Sequence, residues 1–118
     1  MPREAAIVTT WSQPARGREG KALEAFTDYL TYFAKQATEG KVSEVEPYFS
    51  LDAGRGMGIV KGPSDVLQEI LESEEYEKLI TKAQMTVDDL RVEMYTTGDE
   101  IQRGIRIYGE AAGELGYL

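Results

Sequence analysis

The stretch Arg55–Ala83, RGMGIVKGPSDVLQEILESEEYEKLITKA, decides how the chain folds. Arg55 to Lys61 reads as a strand returning from a turn. Gly62-Pro63-Ser64-Asp65 breaks it and offers an N-cap. Val66, Leu67, Ile70 and Leu71 then form a helical stripe. Ser73 restarts a helix that turns Tyr76, Leu79, Ile80 and Ala83 inward. Glu72, Glu74, Glu75 and Glu77 form a charge run that suits a solvated helix face beside a favourable N-terminal dipole. Gly54, Gly56 and Gly58 have the wrong spacing for a dinucleotide loop, and no capped helix follows them directly, so nucleotide binding is not expected.

Upstream, Val42–Leu51 alternates, with Val45, Pro47, Phe49 and Leu51 on one side and Glu44, Glu46 and Tyr48 on the other. Pro47 cannot donate to a ladder, which predicts an edge strand or a bulge. Asp52-Ala53-Gly54 fits the hairpin turn. Ala5–Trp11 is β-branched and aromatic, as strands are. From Gly17 to Glu39, Leu23, Phe26, Leu30, Phe33 and Ala37 recur every three or four residues, which predicts one helix with that stripe inward and Gly40 as its left-handed stop.

Downstream, Val87–Tyr95 ends in strict alternation, Leu90, Val92 and Met94 against Arg91, Glu93 and Tyr95. Thr97 with Glu100 reads as a capping box. Ile101, Ile105, Tyr108, Ala112 and Leu115 follow at helical spacing, although Gly104, Gly109 and Gly113 weaken the helix and Ile101–Tyr108 also has strand character. Such a helix is expected to dock on something else, such as a partner subunit.

The order β-α-β-β-α-β, with a C-terminal element, predicts a single α+β domain over residues 1–118. It is a ferredoxin-like, four-stranded antiparallel sheet with its helices on one face. Over about residues 5–96 the layout, and the strand end, short helix and restarted helix of Gly62–Ala83, resemble the dimeric α/β-barrel group of ferredoxin-like proteins. The resemblance implies a homodimeric α/β barrel, two sheets packed face to face, and a pocket in each subunit between sheet and helices. It also implies a small-molecule-binding protein, in the catalytic version a cofactor-independent monooxygenase or isomerase acting on an aromatic or polyketide-like substrate. The alternative is a non-enzymatic dimerising, stress-response or regulatory domain whose pocket is filled by Phe26, Leu30, Phe33, Leu67, Ile70, Leu79 and Ile80.

Composition narrows the chemistry. The chain has 118 residues, no cysteine and no histidine. No disulfide, thiolate metal site or nucleophilic Cys or Ser/His/Asp system is available. The histidine ligand of the haem-degrading branch is also missing, so neither a metal nor a cofactor is expected. Twenty-one acidic against thirteen basic residues, net −8, argue against nucleic acid and anionic membranes as partners. No apolar run approaches a membrane span, and Met1-Pro2-Arg3-Glu4 lacks a signal-peptide h-region, so a cytoplasmic location is expected.

No catalytic residue can be assigned from the sequence. The substrate-binding candidates are Trp11, Tyr29, Tyr48, Arg55, Tyr76, Arg91 and Tyr95. Trp11 ends a strand before a loop carrying Arg16 and Arg18, an aromatic wall with a guanidinium at its mouth. Arg55 sits in the hairpin, where it is placed to close over an anion. The tyrosines suit a helix–sheet boundary, and Arg91 suits an ion pair with Glu93 or a glutamate of another strand. The sheet face away from the helices carries Glu44, Glu46, Tyr48, Arg91, Glu93 and Tyr95, a mixture that suits a covered polar interface, the helix from Ile101 to Leu115 reaching over the seam.

Overall fold

A computed structural model describes residues 3–52 and 54–117. Ala53, the middle of the expected hairpin turn, lies outside the described residues, as do Met1 and Pro2 of the N-terminal reading. The turn itself is held by the Asp52 carboxylate, which accepts from the Gly54 amide at 3.0 Å and from the Ser50 hydroxyl at 2.6 Å.

The elements are β1 (Glu4–Trp11), α1 (Glu19–Thr38), β2 (Glu46–Phe49), β3 (Gly56–Pro63), α2 (Ser64–Glu72), α3 (Glu74–Gln84), β4 (Arg91–Thr96) and α4 (Asp99–Glu114). The four strands form one antiparallel sheet in the order β2-β3-β1-β4. Pro47 lies on the edge strand, where its missing N–H costs no ladder bond. In β1 the side chains of Ala5 and Ile7 point to α1–α3 and join Tyr29, Phe33, Val60, Leu67, Ile70 and Tyr76 in the core. Phe33, Leu67 and Val60 are fully buried and close the centre of the sheet–helix layer.

Several local expectations need correction. In α1 the inward stripe is Ala22, Tyr29 and Phe33, with Phe26 and Leu30 partly buried beside it; Leu23 is 67% exposed. The expected Phe26, Leu30 and Phe33 keep their inward places; Ala22 and Tyr29 join them where Leu23 was expected, the Tyr29 ring stacking on Phe26 and meeting Phe33 edge-on. At α2 no side chain caps the first turn; Pro63 is the cap residue and the Ser64 amide donates to the Arg3 carbonyl instead. Ser73 does cap α3, accepting from the Tyr76 amide at 3.2 Å. Gly40 follows α1 at φ 76°, the left-handed stop expected there.

Beyond Thr96 the chain is helical, not a fifth strand. Thr97 does not cap it: Gly98, at φ 60°, is the cap residue and no side chain takes that role. The Thr97 amide is instead committed to the Glu4 carbonyl, which ties β4 to the start of β1. None of the residues of α4 is buried, and Ile101, Ile105 and Tyr108 are all exposed. Among the described residues no helix is long and apolar enough to cross a membrane.

Candidate functional site

Three side chains that point from the sheet toward the helices set the site: Thr9 and Trp11 on β1 and Phe49 on β2. Trp11 can lie flat there because β3 presents glycine opposite it. A Cβ on Gly56 would stand 2.4 Å from the indole ring. Two residues on, a Cβ on Gly58 would meet the Tyr29 hydroxyl. The Gly-x-Gly of β3 is thus a pair of clearances for two aromatic side chains.

These clearances leave a cavity of about 390 Å³ between β1 and the helices α1 and α3. Trp11, Phe26, Phe49, Tyr29, Leu79 and Ile80 form much of its wall, and Val87 and Leu90 close it from the α3–β4 connection. Trp11, Phe26 and Phe49 are mutually in contact, with ring centroids 5.6–6.2 Å apart. The core is filled at its Phe33–Leu67–Ile70 end and open at its Trp11 end.

The wall has three buried polar side chains, Thr9, Tyr29 and Thr86; the Thr86 hydroxyl donates to the Ala83 carbonyl at 2.9 Å. Thr9 is 2% exposed and Tyr29 6%, and among the described residues neither hydroxyl has a hydrogen-bond partner. Tyr76, also buried and also without a partner, stands behind them. Thr9 lies near both phenols, but not in hydrogen-bonding geometry. Burial pushes the Tyr29 and Tyr76 phenols up from their ordinary value, the proximity of Thr9 only partly offsetting it. Both are therefore proton donors at neutral pH, never bases. At the rim the Glu19 carboxyl is held below its usual range by its own amide and that of Gly17.

The raised phenols carry a pH prediction. Their neutral form is favoured in the folded chain, so that stability is whole below the ordinary value of 10 and is lost as the pH rises above it. Tyrosinate ultraviolet absorbance should show Tyr29 and Tyr76 titrating only together with loss of near-ultraviolet circular dichroism. Titration of all seven tyrosines before unfolding would contradict it.

The seven binding candidates do not converge on one point. Trp11 and Tyr29 line the cavity. Tyr76 is core, beneath the cavity and not on its wall. Trp11, Tyr48, Arg55 and Arg91 line a second, open cleft on the other side of the Trp11–Phe49 wall. Tyr95 lies in neither; it is on the far edge strand, its hydroxyl donating to Glu93 at 3.0 Å. Tyr48 does the same to Glu46 on the opposite edge, also at 3.0 Å. In each pair the carboxylate raises the phenol. The expected ion pair of Arg91 does not form among the described residues, because Glu93 is taken by Tyr95. Arg18 is also not a mouth residue: its Nη1 donates to the Met85 carbonyl at 2.6 Å and fastens the loop before α1 to the end of α3.

Thr9, Phe49, Val87 and Leu90, which line the cavity, are not among the binding candidates that the sequence offers. Thr9 was legible in principle, since it stands two residues from both Ile7 and Trp11 on the inward side of β1. Among the described residues no three acidic side chains converge to hold a metal ion.

No protein-family model and no curated protein sequence matches the chain. Solved structures share its fold. SnoaB, a cofactor-independent oxygenase from Streptomyces nogalater, superposes with a TM-score of 0.64 at 13% identity, over 81% of this chain and 94% of its own. The hydroxynitrile lyase of Passiflora edulis gives 0.63 at 8%, over 83% and 96%. A dimeric protein of unknown function and ferredoxin-like fold from Bacteroides fragilis gives 0.55 at 8%, over 80% and 96%. The class of the chain is therefore a ferredoxin-like α+β domain, with the layout expected from its sequence and a further C-terminal helix. The similarity is one of fold, and it is shared with proteins of different activities.

Proposed function

We propose that the protein binds a largely apolar, planar small molecule of aromatic or polyketide type in the cavity beside Trp11. One observation carries this reading: the Thr9 and Tyr29 hydroxyls are buried without partners at the wall of an otherwise apolar space. A buried hydroxyl with no partner costs about 1–3 kcal/mol, and a ligand carbonyl or hydroxyl that the Tyr29 side chain turns to meet would recover it. Apolar lining with a few convergent polar groups is the usual form of a small-molecule site.

The likeness in fold to a cofactor-independent oxygenase supports a catalytic version, monooxygenase or isomerase, in which the protein binds, desolvates and orients a substrate that itself supplies the electrons to oxygen. Neutral Tyr29 would then hold a substrate oxygen and donate a proton to it.

Isothermal titration with 2-naphthol tests binding. One site per chain is expected, weakened several-fold in Tyr29→Phe. The same variant should be up to about 1 kcal/mol more stable than the native protein, since it removes an unsatisfied buried group. Loss of stability with unchanged affinity would contradict the role given to Tyr29. Oxygen uptake above the protein-free rate with a hydroxynaphthalene supports the oxygenase version. Binding without uptake removes that version and leaves the binding site.

The same reading includes a homodimer. On the sheet face away from α1–α3, alternation and register place Val8, Met57, Ile59, Tyr48 and Tyr95 among Glu46, Lys61, Arg91 and Glu93. α4, with Ile101, Ile105, Tyr108 and Leu115 exposed, leaves from the edge of this face. A second copy covering the face, with α4 across the seam, would bury both apolar surfaces. Sedimentation should give twice the 13.1 kDa protomer mass, and Ile59→Lys a single protomer. A native species of 13.1 kDa at micromolar concentration would refute the dimer.

A further inference from the structure

The second cleft bears on which molecules the cavity takes. It lies at the end of the sheet where β1 leaves, β2 and β3 turn and β4 begins. That is the end opposite the one from which α4 departs, since Thr97 is bonded to Glu4 at the start of β1. The cleft is open, with a volume of about 720 Å³, and Arg55 and Arg91 line it with Tyr48, Ser12 and Asp89. Among the described residues neither guanidinium is within ion-pair distance of a carboxylate, although Asp52, whose carboxyl the Ser50 hydroxyl lowers most, lies near enough to Arg55 to be lowered by it too. Asp89, the one carboxylate of the lining, shares the Ser12 hydroxyl with the Asp88 carbonyl, each at 3.1 Å, and forms no ion pair among the described residues. Its backbone is left-handed, at φ 54°. With the Ser12 amide donating to the Asp88 carbonyl at 2.9 Å, this ties the end of β1 to the approach of β4 and fixes where Arg91 emerges.

Trp11 and Phe49 belong to both spaces. One side of this wall is apolar with two hydroxyls at its buried end; the other is cationic and, in the single protomer, open, at the Arg91 end of the sheet face that a second copy would adjoin. Resting on the proposed binding site, we infer that its ligand is an acid: a planar apolar body within the cavity, an oxygen function toward Thr9 and Tyr29, and a carboxylate or equivalent anion reaching past Trp11 to Arg55 and Arg91. A guanidinium pair offers such an anion forked hydrogen bonds that a neutral ligand cannot use. The low positive charge of the cleft within an acidic protein also selects against polyanions such as nucleotides, which the surrounding carboxylates repel.

Paired titrations test this with 2-naphthol and 6-hydroxy-2-naphthoate, which differ only in the carboxylate. The acid should bind about three- to tenfold tighter at low ionic strength, and the advantage should shrink as salt is raised. Arg55→Gln and Arg91→Gln should each remove most of it while leaving 2-naphthol unchanged, which also reports that the variants are folded. Equal affinities in the native protein, or an advantage that survives both substitutions, would overturn the inference and leave the cavity itself intact. Failure of both molecules to bind would remove the binding site and the inference with it.

Discussion

Replacing Phe33 with alanine is expected to lower the unfolding free energy by about 3–5 kcal/mol, the largest effect of any single side chain in the molecule. Phe33 has no exposed surface and packs edge-on against Tyr29, Tyr32 and Tyr76, at centroid distances of 5.0–5.7 Å. It is the point where α1, α2 and α3 meet the sheet. Neighbours on three helices and two strands cannot all move in to fill the space, so the lost transfer energy and the cavity cost add. A domain of this size has a total stability of about 5–15 kcal/mol, so the variant should melt well below the native protein. Thermal unfolding followed by circular dichroism measures it. A loss below about 1 kcal/mol would mean that the helical layer is not packed on the sheet as described.

The second large effect is expected at Gly56. A Cβ there would meet three ring atoms of Trp11 at 2.4–2.5 Å, so Gly56→Val must drive the indole from its place. The displaced ring has only the cavity on one side and the Arg55–Arg91 cleft on the other. Either move destroys the wall between them. Overpacking of this kind costs about 1–3 kcal/mol. Affinity for 2-naphthol should fall tenfold or more, and the fluorescence of the single tryptophan should shift to that of a solvent-exposed indole. Native affinity in a folded Gly56→Val protein would show that Trp11 is not part of the site.

The contrast between these positions shows what the sequence disclosed. The order of the elements, the two-piece helix after Gly62 and the cap at Ser73 were legible, because each depends on spacing and local chemistry within ten or so residues. The edge position of Pro47 was legible for the same reason. What failed was decided by distant partners. Leu23 lost its inward place to a neighbouring stripe of aromatic rings, and the bond from the Thr97 amide to Glu4 holds Thr97 against the start of β1, so the helix begins one residue later with Gly98 as its cap residue. Trp11 was recognised as a wall residue, yet its orientation depends on a glycine 45 positions later on another strand. The arginines at positions 16 and 18 looked like mouth residues, but the pair that lines a cleft is Arg55 and Arg91, which only the sheet brings together. Tyr29 was named from its helix. That its hydroxyl would be buried without a partner beside Thr9 is a property of the closed layer and of no single segment.

The single tryptophan also gives the most direct test of the central claim, that a small apolar molecule occupies the cavity between Trp11 and Tyr29. The measurement is an amide and indole nuclear magnetic resonance titration of the labelled protein with 2-naphthol. A saturable shift of the one indole N–H resonance is expected, accompanied by the amides of Thr9, Leu79 and Val87 on the cavity wall. An indole resonance that stays fixed to the limit of ligand solubility, or shifts confined to α4 and the open sheet face, would contradict it.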